Sequence, residues 1–388
     1  ANTNGANMPT KLSPQEFQML SAGRDPDPCK SWSINTTSYI DPKYQAIERE
    51  QIFSKTWQFV CHEEKLRNPG DYVAVEVAGQ TIVVTRNING QLHAFYNVCK
   101  HRGHLIKQGE GNSPQLTCPY HSWVYSLDGD LEMAPRAKLV DNFDKKEHCL
   151  DAVQVENFCH LVFVNLDLEA APLAQQSGDL AKEIKAYAPD LADLTYATRL
   201  TYRIKANWKS VTDNFLECYH CAVAHKDFVS LVELDTYKVK THGIYSSHMA
   251  KARVLDNAAY SIEDASVTDH AVWYLWPNTT LMRYPGRGNF MVWKFYPDGP
   301  EETYEEFDFF FETADVTEAE KQALAFIDDV LQVEDINLVE NVQRGMRTPA
   351  FNSGRFMSDP DGQHGMSEHA VHHFHGLLLD AYQSAVEE

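Results

Sequence analysis

Apolar and polar positions along this 388-residue chain follow two different periods. Tyr39, Tyr44, Ile47, Ile52 and Phe53 share one face at helical spacing and predict a helical lead-in over 38–57. From Asp71 the period drops to two. Residues 72–77 and 81–85 read as strands joined by the turn Ala78-Gly-Gln80, and Asn89-Gly90 is a hairpin signal before a strand over 92–98. Asp128-Gly129 marks a second hairpin, and the apolar run 158–166 closes a stretch of short strands. Residues from about 50 to 166 therefore predict an all-β module.

After Leu166 the pattern changes. Residues 170–193 are Ala-rich and helical, 201–204 read as strand, and 213–224 read as helix. Strands are predicted over 271–276, 289–296 and 305–312. Thr317-Glu-Ala-Glu320 forms a capping box, and the helix it opens is expected to run to about Val342. The fold class is α+β: an N-terminal all-β domain, then a C-terminal α+β domain with an antiparallel sheet flanked by helices. The expected organisation is a lead-in over 1–45 packing on the C-terminal domain, a β domain over 46–166 and an α+β domain over 167–388.

Composition narrows the partners. Hydrophobic residues are 43% and aromatic residues 11%, enough for a core and against wholesale disorder. Lys plus Arg number 34 against 55 acids, a net charge of −21 that argues against nucleic acid and anionic membranes. It suits docking to a basic patch on a partner protein. No apolar run approaches the length of a membrane span, and the polar N-terminus lacks a signal pattern. Eight Cys are too few for a disulfide scaffold, so the expectation is free thiols in a cytoplasmic protein.

Two segments carry chemistry. Cys99-Lys-His101 and Cys118-Pro-Tyr-His121 each place one Cys and one His on a loop of the β module. A Cys2His2 zinc site is the plain alternative, but zinc fingers usually keep both Cys in one hairpin and both His on one helix. One of each per loop suits two irons, one held by thiolates and one by imidazoles, as in a Rieske [2Fe–2S] centre. The second segment runs from Asn207 to His225. His220 and His225 are five apart, about 140° around an ideal helix, so the helix must loosen or end between them to bring both to one metal. Asp213, Glu217 and His220 follow i, i+4, i+7 and would line one helix face. A two-His facial triad for non-heme Fe(II) needs a carboxylate. Asp335 falls among Leu324, Ile327, Leu331, Leu338 and Val342 on an apolar stripe, where an unpaired acid is costly. Periodicity alone does not separate it from Glu334, whose bland role is a salt bridge at the helix edge.

Cys99-Lys-His-Arg-Gly-His104 and Cys118-Pro-Tyr-His-Ser-Trp123 resemble the cluster motif of the Rieske non-heme iron oxygenases, with Lys100 standing where Pro is common. The resemblance extends from about residue 40 to the C-terminus. It implies an alpha (terminal oxygenase) subunit with Cys99, His101, Cys118 and His121 on a [2Fe–2S] cluster. The segment 334–345 resembles the one holding the third ligand of a mononuclear Fe(II), which selects Asp335 beside His220 and His225. Asn214 matches a position close to that iron. Glu217 matches the carboxylate that bridges the two centres across neighbouring subunits, from His121 of one to His220 of the next, and so implies a homotrimer. Glu rather than Asp at this position resembles the carnitine oxygenase branch, within the group acting on quaternary ammonium compounds such as carnitine, choline, glycine betaine and stachydrine.

The aromatic residues Trp273, Tyr274, Trp276, Tyr284, Phe290, Trp293, Phe295 and Tyr296 read as sheet core, or in part as a box for a methylammonium cation. The resemblance thus implies a Rieske-type monooxygenase that uses O2 to oxidise a small quaternary or methylated ammonium compound by N-demethylation, hydroxylation or C–N cleavage. One alternative is ring hydroxylation or O-demethylation of an aromatic compound. Another is a Rieske electron carrier without catalysis, for which the chain is too long. There is no GxGxxG after a strand and no plant-type ferredoxin Cys run, so a separate NAD(P)H-dependent flavin/iron–sulfur reductase is the expected partner.

Overall fold

The period-two stretch folds into sheets in the computed structural model, which describes residues 10–253, 260 and 267–387. Its strands are β1 (Gln58–His62), β2 (Asp71–Val77), β3 (Gln80–Arg86), β4 (Leu92–Tyr96), β5 (Glu110–Asn112), β6 (Leu116–Thr117), β7 (Val124–Tyr125), β8 (Leu131–Met133), β9 (Ala152–Phe158) and β10 (Leu161–Asn165). They form an antiparallel seven-stranded sheet in the order β1-β10-β9-β4-β3-β2-β5 and a small sheet β6-β7-β8. On β3 the alternation sends Ile82 and Val84 into one core with Val60, Leu66 and Val162, while Val83 points into another with Phe95, Leu116 and Tyr125. Asp128-Gly129 makes the turn before β8; Gly129 has φ 90°, and a Cβ there would meet the Phe95 ring at 2.5 Å. Phe53–Gln176 is one compact unit; residues up to 52 and from 177 on make the other. Residues 171–174 stay with the β unit because Trp57 Nε1 donates to Ala171 O (3.0 Å) and the Glu156 carboxylate accepts from Leu173 N (2.7 Å) and Ala174 N (2.9 Å).

The second unit is built on seven antiparallel strands: β11 (Thr195–Ile204), β12 (Val232–Thr241), β13 (Tyr245–Ala252), β14 (Asp269–Leu275), β15 (Thr279–Arg283), β16 (Asn289–Gly299) and β17 (Glu302–Phe311). Their order is β11-β17-β16-β15-β14-β13-β12. Sequence pattern locates β14, β16 and β17 but misses β12, β13 and β15; β12 alternates in two runs, Val232/Leu234 and Tyr237/Val239, whose phase changes at a register shift between Glu233 and Lys238. The pattern also misses the C-terminal helix His369–Gln383, whose buried face mixes Val371, Phe374, Leu378, Leu379 and Tyr382 with His369, His372 and His375.

Two helices carry the chemistry of this unit. Trp208–Phe215 is capped by the Asn207 side chain, which accepts from Lys209 N at 2.9 Å. Its first turn is anchored by a buried ion pair between Lys209 and Glu48, and Glu48 also accepts from Trp208 Nε1 at 2.7 Å. The helix opened by the Thr317–Glu320 capping box runs over Glu318–Phe326, widens into a π-helical turn at Ile327–Leu331 and continues as Gln332–Met346. That turn inserts a residue and rotates the stripe by one position. The buried residues beyond it are Gln332, Val339 and Gln343, whereas Val342, expected inside, is exposed.

Candidate metal centres

The helix Trp208–Phe215 ends before the predicted stripe is complete, and this break makes a metal site possible. Asp213, Glu217 and His220 therefore do not lie along one helix, although all three line one cleft. Asp213 turns to Tyr39 Oη (2.6 Å) and His375 Nε2 (2.8 Å). Residues 216–220 form a non-helical turn, and the short helix Cys221–Ala224 delivers His225 at its end. The 140° problem is thereby removed. Nε2 of His220 and Nε2 of His225 lie 3.2 Å apart, and Asp335 Oδ1 stands 2.8 Å from the latter and 3.6 Å from the former. Among the described residues these three are the only group of metal-binding types whose ligand atoms all lie within 4.8 Å of one another.

The outer nitrogens are each held by a carboxylate. His220 Nδ1 meets Glu217 Oε1 at 2.6 Å, and His225 Nδ1 meets Glu334 Oε2 at 2.6 Å. A proton donated from each Nδ1 to its carboxylate leaves both Nε2 lone pairs aimed at the same space, the usual carboxylate–histidine–metal arrangement. Three carboxylates against two neutral imidazoles make the site electron-rich. Burial works against protonating His220, but Asp335 and Glu217 outweigh it and push its pKa up to about 10; His225 is raised for the same reason by Asp335 and Glu334. Burial alone would raise the Asp335 carboxyl, and its hydrogen bonds to the two histidines lower it instead. A group of donors that holds positive charge this strongly fits a divalent cation. Gln343 places the third member: Oε1 accepts from Asn207 N (2.9 Å) and Nε2 donates to Tyr39 O (3.1 Å), which ties the helix bearing Asp335 to the start of the helix before His220.

This constellation opens on a cavity of about 820 Å³, counting its mouth. Phe215, Tyr237, Tyr284, Trp293 and Phe307 wall it, Asn214 lines it, and no Lys or Arg is among its described lining residues. The Trp293 ring stacks on Phe307 (4.8 Å, 13°) and meets Phe215 edge-on (4.9 Å, 81°). Of the aromatic residues singled out from sequence, Tyr284 and Trp293 line the cavity. Trp273, Tyr274, Phe290 and Phe295 are buried in the unit's core, and Trp276 packs on Phe374. Phe215, Tyr237 and Phe307 were not legible as pocket residues: strand register decides which side of the sheet Tyr237 and Phe307 face, and Phe215 depends on how the end of its helix packs on that sheet. Glu334, whose bland role is a salt bridge at the helix edge, pairs with His225.

Cys218 and Cys221 also line the cavity and are joined by a disulfide, against the expectation of thiols throughout. Their spacing around one turn leaves the Cα atoms 4.9 Å apart, within disulfide reach. The other six cysteines form no disulfide.

In the β unit the two predicted loops stand as a pair. Cys99 N donates to His104 O (2.9 Å), Gly103 N to Cys99 O (2.9 Å), Cys118 N to Trp123 O (2.8 Å) and Ser122 N to Cys118 O (3.1 Å). Both turns need positive φ, at Gly103 (75°) and at Ser122 (58°). Cys99 and Cys118 are buried, and burial raises the Cys118 thiol with Cys99 beside it. Tyr125 Oη lies 3.4 Å from Cys99 Sγ and accepts from Lys100 N at 3.0 Å. The two imidazoles form their own pair, with His101 Nδ1 and His121 Nδ1 3.1 Å apart; His101 is exposed and His121 half-exposed. No three of these four ligand atoms lie within 4.8 Å of one another, so they do not converge on a single tetrahedral ion. One thiol pair and one imidazole pair fit a two-iron cluster.

Comparison with known proteins agrees with this geometry. Residues 56–144 match the Rieske [2Fe-2S] domain, and residues 191–384 match the ring hydroxylating alpha subunit (catalytic domain). The chain is 36% identical over 359 residues to the carnitine monooxygenase oxygenase subunit of Escherichia coli K12, spanning 92% of this chain and 96% of that one. It is 30% identical to the chloroplastic choline monooxygenase of Spinacia oleracea, spanning 95% and 83%. Its fold superposes on the crystal structure of the quaternary ammonium Rieske monooxygenase CntA in complex with L-carnitine with a TM-score of 0.84 at 31% identity, covering 96% and 99% of the two chains. The chain belongs to the Rieske oxygenase alpha subunits, with a Rieske [2Fe–2S] cluster and a mononuclear iron as cofactors.

Proposed function

From its membership of the Rieske oxygenase alpha subunits, we propose that this chain is the terminal monooxygenase of a system oxidising a small quaternary or methylated ammonium compound with O2 and electrons from a separate NAD(P)H-dependent reductase. Cys99 and Cys118 hold one iron of the cluster, and His101 and His121 hold the other. His220, His225 and Asp335 hold the mononuclear iron. When bound, the cluster supplies single electrons and the mononuclear iron supplies the centre where O2 is reduced. The chain's own residues do the rest. Glu217 and Glu334 keep the Nδ1 protons of His220 and His225, so both rings face the metal in one tautomer. The exposed edges of His101 and His121 suit contact with a neighbouring subunit, and Glu217, half-buried beside His220, suits the bridging role in a homotrimer.

The observation that carries the substrate class is the aromatic cavity beside the triad, walled by Tyr237, Tyr284, Trp293 and Phe307 with no Lys or Arg among its described lining residues. Aromatic faces attract a cation whose charge is spread over methyl groups, and a strong hydrogen-bond donor set is not needed. The relatives named for carnitine and choline support the same class. The test is O2-dependent oxidation of choline, glycine betaine, L-carnitine and a simple aromatic, with NADH, a reductase of the class and product analysis. Coupled NADH consumption with an ammonium compound is expected. Turnover of the aromatic compound alone would refute the reading.

A further inference from the structure

The disulfide Cys218–Cys221 has no part in the chemistry described so far, and its place in the fold is specific. Cys218-Tyr-His-Cys221 encloses His220 within a four-residue ring. Cys221 N donates to Cys218 O (3.1 Å), and Cys221 O accepts from His225 N (2.9 Å), so the pair touches the backbone of both histidines. At its other end Cys218 N donates to Gly365 O (2.9 Å). Both cysteines are buried from bulk solvent, at 3% and 5% exposure, yet both line the cavity next to Asp335. A small solute that enters the cavity meets a wall to which the pair contributes.

We propose that Cys218 and Cys221 are a reversible dithiol–disulfide site, oxidised by a hydroperoxide within the cavity, whose state sets how firmly the turn bearing His220 is held. One thiol attacks the peroxide: the O–O bond breaks, a sulfenic acid forms and one water leaves. The second thiol displaces the hydroxyl from that sulfur, the S–S bond forms and a second water leaves. Two electrons pass from the sulfurs to the peroxide, and a dithiol reductant reverses the change. Hydrogen peroxide is the two-electron reduction product of O2, so the reactant belongs to the chemistry of this cavity. A closed ring leaves the 218–221 backbone few alternatives to the conformation that aims His220. The opened dithiol releases that restraint while leaving every metal-binding side chain in place. The effect on iron rests on the assignment of His220 as a ligand; the redox chemistry of the pair does not.

The experiment uses the iron-loaded protein in three states: as purified, reduced, and reduced then treated with one equivalent of hydrogen peroxide. Free thiols are alkylated after denaturation and located by peptide mass spectrometry, and iron loss to a chelator is timed in each native state. The reduced sample is expected to take a label on both Cys218 and Cys221, and peroxide to return the pair to an unlabelled intramolecular disulfide. Iron loss is expected to be several-fold faster from the reduced state. Cys218→Ala and Cys221→Ala should each release iron at the reduced rate whatever the treatment. Thiols that stay free after peroxide, or that oxidise only to sulfinic or sulfonic acid, overturn the redox site. A clean switch with identical iron loss overturns the coupling to His220. If the Ala variants fail to fold, the comparison of reduced and oxidised wild type decides by itself.

Discussion

Glu334 provides the sharpest test of the metal site, because sequence pattern gives it only a salt bridge at the helix edge and the structure sets it against His225. Its Oε2 lies 2.6 Å from His225 Nδ1, with His225 only 5% exposed and Glu334 34% exposed. Without the carboxylate, His225 loses the partner that fixes the Nδ1–H tautomer, and the proton is free to sit on Nε2, where it competes directly with iron. Removing such a partner typically lowers metal affinity about 10- to 100-fold. That range corresponds to roughly 1.4–2.7 kcal/mol. The partial exposure of Glu334 lets water replace it, so Glu334→Ala is expected in the lower half of that range. Glu334→Gln keeps an acceptor but loses the charge, which contributes about half the strength of such a bond, so a loss of up to about tenfold is expected. The assay is anaerobic Fe(II) titration against a competing chelator, with the Rieske absorption as an internal control for an intact β unit. Asp335→Asn, which removes a ligand, should fall well below both variants. An Fe(II) affinity in Glu334→Ala within twofold of wild type would refute the argument that this acid holds the histidine.

Glu217→Gln should load both metal centres yet slow electron transfer from the reduced cluster to the iron, read by single-turnover kinetics; Glu217→Asp should retain part of the rate, and wild-type rates in both would remove the bridging role. Trp293→Leu should weaken binding of a quaternary ammonium substrate by about 0.5–2 kcal/mol, the range of a cation–π contact, with little change in iron content. Calorimetry with the preferred substrate measures it. Lys209→Met breaks a fully buried ion pair and should cost roughly 3–5 kcal/mol of stability in denaturant unfolding, much of it recovered when Glu48→Gln is added. Burial pushes the Glu305 carboxyl from 4.5 up to about 8, with Asp335 adding to the rise and the bond from Gln332 opposing it. Its folded pKa is raised, so the stability it contributes is full below its unfolded value and is lost as pH climbs through about 8. Glu305→Gln should flatten this slope, at most about 1.4 kcal/mol per pH unit, in a comparison of the two proteins' melting curves across pH.

Much of the fold was legible wherever one face of an element is dry. Ile82, Val83 and Val84 alternate between two cores, and the Asp128-Gly129 turn follows from a glycine pressed against Phe95. The Thr317–Glu320 capping box appears where its residues place it. Strands β12, β13 and β15 were not legible, because in a sheet of seven strands neighbour pairing fixes a strand whose own pattern is short or, as in β12, changes phase at a register shift. The helix His369–Gln383 escaped notice for a related reason: His372 and His375 are buried there with hydrogen-bond partners supplied by Asp25 O and Asp213, residues remote in sequence.

The chemistry divides the same way. Cys99, His101, Cys118 and His121 sit on two short loops, so their spacing alone reveals the thiol pair and the imidazole pair. His220 and His225 are close enough in sequence to be suspected, and the spacing of five says only that the helix must break. Where it breaks, and that Asp335 rather than Glu334 turns toward the two Nε2 atoms, depends on contacts made across more than a hundred residues: Gln343 binding Asn207, Lys209 binding Glu48, and the π-helical turn that rotates the second helix by one position. Local pattern records which residue types are available and how the nearest turns are built. It does not record the rotation of one helix against another or the register of one strand against the next. Those belong to packing, and they decide which acid faces the two imidazoles, which aromatic residues line the cavity, and that Cys218 closes on Cys221 around His220.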